Sequence, residues 1–239
     1  MTKNQNNSSE KTYFSGKMKL ADLIDINFNL LALLTRLGVS LALGGQTVEE
    51  VCAKSDLDVD TFLLLCNVYT YDEYVPSTEL LEKSNVGNIV RYLHSSHSYY
   101  LETSLVTLES AIARLLEPCN EKQKAIIWKF FTDYKAEIQK HFAYEETKVF
   151  PYIDSLLSGG NHEGFSISQF EDNHSNIDEK LDDLKNIVMK YLPAECDNAQ
   201  RGQVLILIYH LDLDLARHTR IEDDVLVPVV NRIEENGRK

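Results

Sequence analysis

Cysteine is scarce in this 239-residue chain: Cys52, Cys66, Cys119 and Cys196 are widely spread, with no C-x-x-C among them. That spacing excludes a disulfide scaffold or a zinc ribbon and suits a reducing compartment, so the cytoplasm is the expected location. Cations are also short, with 24 Lys and Arg against 37 Asp and Glu and a formal net charge of −13. Such a balance argues against nucleic-acid binding and against an anionic membrane face. No apolar run approaches the ~20 residues needed to span a bilayer, and the polar start, Met1 to Glu10, is not a signal peptide. No Ser-His-Asp or Cys-His nucleophile pattern is present. Gly44-Gly45 reads as a turn, because no Lys-Ser/Thr follows it to cradle a phosphate.

What the chain does have is helical periodicity. Hydrophobic content of 44% is ordinary for a globular protein, and strand signals are nearly absent. Residues 1–12 are rich in Asn, Ser and Lys and read as a disordered tail. Residues 13–78 read as a small helical domain: Lys19–Leu37, a turn at Gly44-Gly45, Val48–Lys54 and Val59–Val68. Thr47-Val-Glu-Glu50 has the form of a helix start. A linker at 72–77 leads to four long helical stretches, roughly 85–116, 120–157, 166–192 and 198–235, within a bundle spanning 85–236. Pro118, the Gly159–Gly164 loop and Pro193 separate them. An all-α fold follows, an antiparallel up-down four-helix bundle behind a small helical N-terminal domain.

The buried seams can be read off in steps of four and three. On the second stretch they are Ile127, Phe131, Tyr134, Ile138, His141, Glu145, Val149 and Tyr152. On the third they are Phe170, His174, Ile177, Leu181, Leu184, Val188 and Tyr191. The fourth gives Val204, Ile208, Leu211, Leu215, His218, Glu222 and Val225. Imidazoles and carboxylates therefore occupy core slots. Buried carboxylates are costly unless a cation neutralises them. Asp182-Asp183 and Glu234-Glu235, by contrast, read as solvated charges.

A repeat sharpens this. His141-x-x-x-Glu145, closed by Pro151, recurs 77 residues later as His218-x-x-x-Glu222, closed by Pro228; an acidic residue follows each glutamate. On a helix, i and i+4 share a face. His174 precedes His218 by 44 residues, and His97 precedes His141 by the same interval. The spacing favours His97 as the ligand of the first stretch and leaves His94 as a neighbour or alternate. His97, His141, Glu145, His174, His218 and Glu222 are then the candidate metal ligands, two imidazoles to each of two cations with both carboxylates bridging. His210 falls off the seam, and His162 sits in a glycine loop. Tyr100 and Tyr144 are candidates for pocket walls. Nitrogen and oxygen ligands without thiolate favour iron, with manganese or zinc as alternatives.

These residues resemble the hemerythrin-like, or HHE cation-binding, family. The tails His141-x-x-x-Glu145-Glu-x-x-Val-Phe-Pro151 and His218-x-x-x-Glu222-Asp-x-Val-Leu-Val-Pro228 are most similar to the di-iron RIC proteins, named for repair of iron centres. Oxygen-carrying hemerythrins have a second histidine one turn after the third-helix ligand, where this chain has Asp178. The resemblance implies the same six ligands, Glu145 and Glu222 as bridges, and two iron ions in an oxo-bridged pair. It also implies repair or protection of iron–sulfur clusters under nitrosative or oxidative stress. Expected partners are oxygen, nitric oxide or peroxide, with iron–sulfur proteins and a redox partner behind them, and homodimerisation is left open. The segment Leu37-Gly38 through Cys52 resembles the N-terminal domain of RIC proteins. Where that family carries a cysteine pair before two glycines, this chain has Ala42 and Leu43. A non-catalytic sensor or binder of the same ligands is the alternative expectation.

Overall fold

The computed structural model describes residues 13–160, 164–171, 177–193 and 196–237. The tail at 1–12, His162 and His174 lie outside them. The described residues are helical, with no strand beyond an isolated bridge between Lys19 and Thr47.

Five short helices come first: α1 Leu20–Ile26, α2 Leu30–Arg36, α3 Val48–Ser55, α4 Val59–Thr70 and α5 Thr78–Lys83. The single helix expected over 19–37 is two, broken where Asn27 leaves helical geometry. Its side-chain oxygen accepts from the Asn29 backbone N–H at 3.1 Å, while its amide donates to Thr70 Oγ1 at 3.0 Å. A short polar side chain thus competes with the helix ladder and turns the chain. Helix α2 ends at Gly38, whose φ of +74° suits glycine. The Gly38 N–H donates to the Thr35 carbonyl and the Val39 N–H to the Leu34 carbonyl. Thr47 and Glu50 form the reciprocal cap that starts α3.

The bundle follows. Its first helix runs Val86–Tyr99, widens into a π-helical turn at Tyr100–Ser104 and resumes over Leu105–Leu115. The second runs Glu121–Tyr144, a π turn at Glu145–Val149, then Phe150–Leu157. A short turn of helix, Ser168–Glu171, precedes the third, Ile177–Lys190. The fourth runs Asn198–Ile221, a π turn at Glu222–Leu226, then Val227–Gly237. The fourth packs against the first and third, and the third against the second. Short connections at 116–120 and 191–197 set the helices they join antiparallel. No described helix is long and apolar enough to cross a membrane.

The seam of the fourth helix is buried at every expected position from Val204 to Val225. On the second helix the phase slips: Phe142 rather than His141 is fully buried, and beyond the π turn Ile153 replaces Tyr152. A π turn adds a residue and rotates everything after it. Pro151 and Pro228 lie just past the two glutamate-led π turns; proline cannot donate to the carbonyl four residues back, and the wide turn accommodates that. Two other expectations are corrected. Tyr191 is 73% exposed, because the third helix stops at Lys190. Glu234 is buried, accepting from Tyr152 Oη at 2.6 Å and the Ile167 N–H at 2.8 Å.

The apolar interior divides into two clusters. One joins the N-terminal helices to bundle residues 86–93, 149–153 and 221–230. The other fills the far half of the bundle, from Tyr100 to Leu116, Ile127 to Phe142, Leu181 to Leu192 and Val204 to Leu215. Arginines fasten the N-terminal helices to the first end. Arg91 donates to the Leu37 and Ser55 carbonyls at 3.0 and 3.2 Å, and Arg220 to the Val68 and Tyr71 carbonyls at 2.9 and 3.3 Å. The carbonyls at a helix C-terminus lack intrahelical donors and carry the negative end of the dipole, so guanidinium groups suit them.

Candidate metal centre

A polar layer lies between the two apolar clusters. His97, Glu145, His218 and Glu222 are all buried there, and each offers a ligand atom within 4.8 Å of the others. Three bundle helices contribute. The first supplies His97 one turn before its π turn. The second and fourth supply the glutamates as the opening residues of theirs, and the fourth adds His218 one turn earlier.

Distances show how the groups converge. His97 Nε2 lies 2.8 Å from Glu145 Oε2 and 3.3 Å from His218 Nε2. His141 Nε2 lies 2.8 Å from the other carboxylate oxygen, Glu145 Oε1. His218 Nε2 is 3.1 Å from Glu222 Oε1. His141 is the least enclosed, its side chain 10% exposed, and touches the edge of the quartet through Glu145. His94 faces outward on the rim, 61% exposed, with Nδ1 2.8 Å from Glu146 Oε2.

The donor set fits a cation. Glu145 is fully buried, and neither of its oxygens receives a hydrogen bond. Among the described residues no lysine or arginine approaches it; the His97 and His141 imidazole nitrogens do, each at 2.8 Å. The layer also favours positive charge. Burial pulls the His97 pKa down, but the adjoining Glu145 and Glu146 carboxylates outweigh it and lift it to about 9.

Glu146 is the residue whose role the sequence left unassigned. Its Oε1 lies 2.7 Å from His97 Nδ1, so His97 presents Nε2 to the layer. A carboxylate behind an imidazole fixes the ring's orientation and raises its basicity, as in many metal sites. The signal was the acidic residue after each glutamate. Burial raises the Glu146 pKa, yet the His97 and His94 imidazoles hold it below the usual glutamate value. Phe142 and Phe150 both stack against His97, at ring separations of 4.1 and 5.5 Å. Tyr92 and Tyr100 lie beside His218, at 6.3 and 5.7 Å. Tyr144 packs half-buried in the first apolar cluster instead.

Residues 88–230 match the model of the hemerythrin HHE cation-binding domain, more than half of the chain. The chain belongs to the hemerythrin HHE family. The HHE match takes in every residue of the polar layer, and the domain it describes binds cations. The chain is also similar to the iron-sulfur cluster repair protein ScdA of Staphylococcus haemolyticus (strain JCSC1435). The two are 20% identical over 199 residues, 79% of this chain and 86% of that protein. A match of that extent exceeds the HHE bundle and takes in part of the N-terminal helices.

Proposed function

We propose that this HHE bundle holds a pair of iron ions and serves in the cytoplasm to protect or restore iron–sulfur clusters under nitrosative or oxidative stress. One observation carries the reading: four buried ligand atoms of two imidazoles and two carboxylates converge within 4.8 Å. His97 and His218, whose Nε2 atoms face each other, would hold one ion. His141 would hold the other with His174, assigned by the sequence repeat alone. Glu145 turns one oxygen to His97 and the other to His141, which suits a bridge, and Glu222 is its repeat equivalent. Iron so held supplies one-electron chemistry and an affinity for oxygen, nitric oxide or peroxide. The protein's own part is to balance charge with two glutamates, fix His97 through Glu146 and exclude water with Phe142, Phe150, Tyr92 and Tyr100. The repair role draws on the name of the Staphylococcus relative.

A second reading has support of its own. Ala42 and Leu43 stand where the resembling family has cysteines, and Arg36 ties the N-terminal helices to the fourth bundle helix four residues before His218. Both suit a sensor that passes occupancy of the centre to a partner. Metal analysis of protein purified from an iron-replete cytoplasm should give about two irons per chain; absence of bound iron would overturn both readings. Catalytic consumption of nitric oxide by the reduced protein would favour the first, and uptake that stops at stoichiometry the second.

A further inference from the structure

Cys119 and Cys196 face each other with their Sγ atoms 3.3 Å apart. They are 77 residues apart, the interval that relates His141 to His218, so they are equivalents in the two halves of the bundle. Their surroundings repeat as well. Each cysteine directly precedes the N-cap of a 24-residue helix segment, Asn120 or Asp197, whose side chain accepts from the N–H of Gln123 or Gln200. Each backbone N–H donates within a tight turn, Cys119 to the Leu116 carbonyl at 3.0 Å and Cys196 to the Pro193 carbonyl at 3.2 Å. Lys124 and Arg201, again equivalents, both act to lower the Cys119 pKa. Two thiols thus meet between two helix N-termini, with two cations close enough to act on Cys119 against the larger effect of burial.

We propose that Cys119 and Cys196 are a redox site, forming a reversible disulfide when the protein meets a small hydroperoxide. One sulfur attacks the peroxide; the O–O bond breaks, an alcohol or water leaves, and that sulfur becomes a sulfenic acid. The second sulfur attacks it, the S–O bond breaks and water leaves. Two thiols are oxidised by two electrons while the peroxide is reduced by two, and a dithiol reductant reverses the change. The product ties the connection between the first and second bundle helices to that between the third and fourth. Burial and the neighbouring thiol push Cys119 up to about 11 despite the cations, so that thiol rests protonated at neutral pH and its attack quickens as pH rises. Both thiols are nearly enclosed, 5% and 2% exposed, which favours a small oxidant over a bulky disulfide. Cys52 and Cys66 are buried in the N-terminal core. The His/Glu layer is roughly 35 Å away along the second helix, so the proposal stands apart from the metal reading.

Full-length protein, reduced and stripped of metal by chelation, is treated with hydrogen peroxide and its thiols are counted under denaturing conditions. The expected result is a fall from four free thiols to two, a mass lower by about 2 Da, and a cross-linked peptide joining Cys119 to Cys196. Cys119→Ser and Cys196→Ser should each retain three thiols or trap a sulfenic acid, whereas a Cys52→Ser/Cys66→Ser double variant should still form the link. Four surviving thiols in the wild-type chain, or a cross-link through Cys52 or Cys66, would overturn the proposal, and the wild-type peptide map decides even if a variant misfolds.

Discussion

Arg36 of α2 and Asp214 of the fourth bundle helix form an ion pair between positions 178 residues apart in the chain, the guanidinium buried and the carboxylate partly exposed, with Arg36 Nη1 2.9 Å from Asp214 Oδ1. Tyr69 of α4 donates to the same carboxylate oxygen at 2.7 Å, and Arg36 donates to Tyr100 Oη at 3.3 Å. The pair is a junction between the N-terminal helices and the bundle. Truncating Arg36 to alanine leaves the partly buried Asp214 without its cation and should cost about 2–3 kcal/mol. A paired replacement, Arg36→Met with Asp214→Leu, should cost less than either single change. Urea melts of the three variants give the comparison; additive losses would show that the two groups act separately.

Glu146 offers a test of the layer that leaves the proposed ligands in place. Glu146→Gln keeps the shape but removes the charge behind His97, and should weaken metal retention by about 10- to 100-fold. Competition with a chelator measures this directly. The metal-free variant should keep its fold and lose only the share of stability that the Glu146–His97 contact adds.

In the metal-free protein, His97 should also leave a trace in the pH dependence of stability. Its pKa is raised to about 9 from an ordinary 6.5, so its contribution is fully present below the unfolded value and is lost as pH rises through 9. Thermal melts of chelated protein should therefore decline between about pH 6.5 and 9, by at most on the order of 3 kcal/mol. Glu145→Gln should flatten that slope.

His218 and His210 lie two turns apart on one helix but should behave differently. His218→Ala should remove about half of the bound metal or more, because it takes an imidazole out of the enclosed quartet. His210 is exposed in a surface cleft, and His210→Ala should be nearly silent. Equal metal loss from both would contradict the assignment.

Much of this arrangement was legible in the residues. The fourth helix carried its seam without interruption, and the H-x-x-x-E repeat pointed to the groups that meet between the helices. Local competition hid other features. Asn27 splits a helix that apolar spacing draws as continuous, and the π turns rotate Tyr152 out of phase in favour of Ile153. Periodicity assumes a constant 3.6 residues per turn, so it fails where a turn is wide. Arg36 and Asp214 had no local signal, because a contact across 178 positions follows from packing alone. Cys119 and Cys196 did have one, since they share the interval of the histidines, but four dispersed cysteines gave no reason to test it.

The interruption of the oily interior by a sheet of charged and aromatic groups has a mechanical consequence. The two apolar clusters are separate, so the half carrying the N-terminal helices and the far half are joined by the polar layer and the Arg36–Asp214 junction, and each can loosen with limited help from the other's core. A multivalent ion seated between them would act as a rivet. Amide hydrogen exchange on either side should slow together once the ion is bound and drift apart when it is withdrawn.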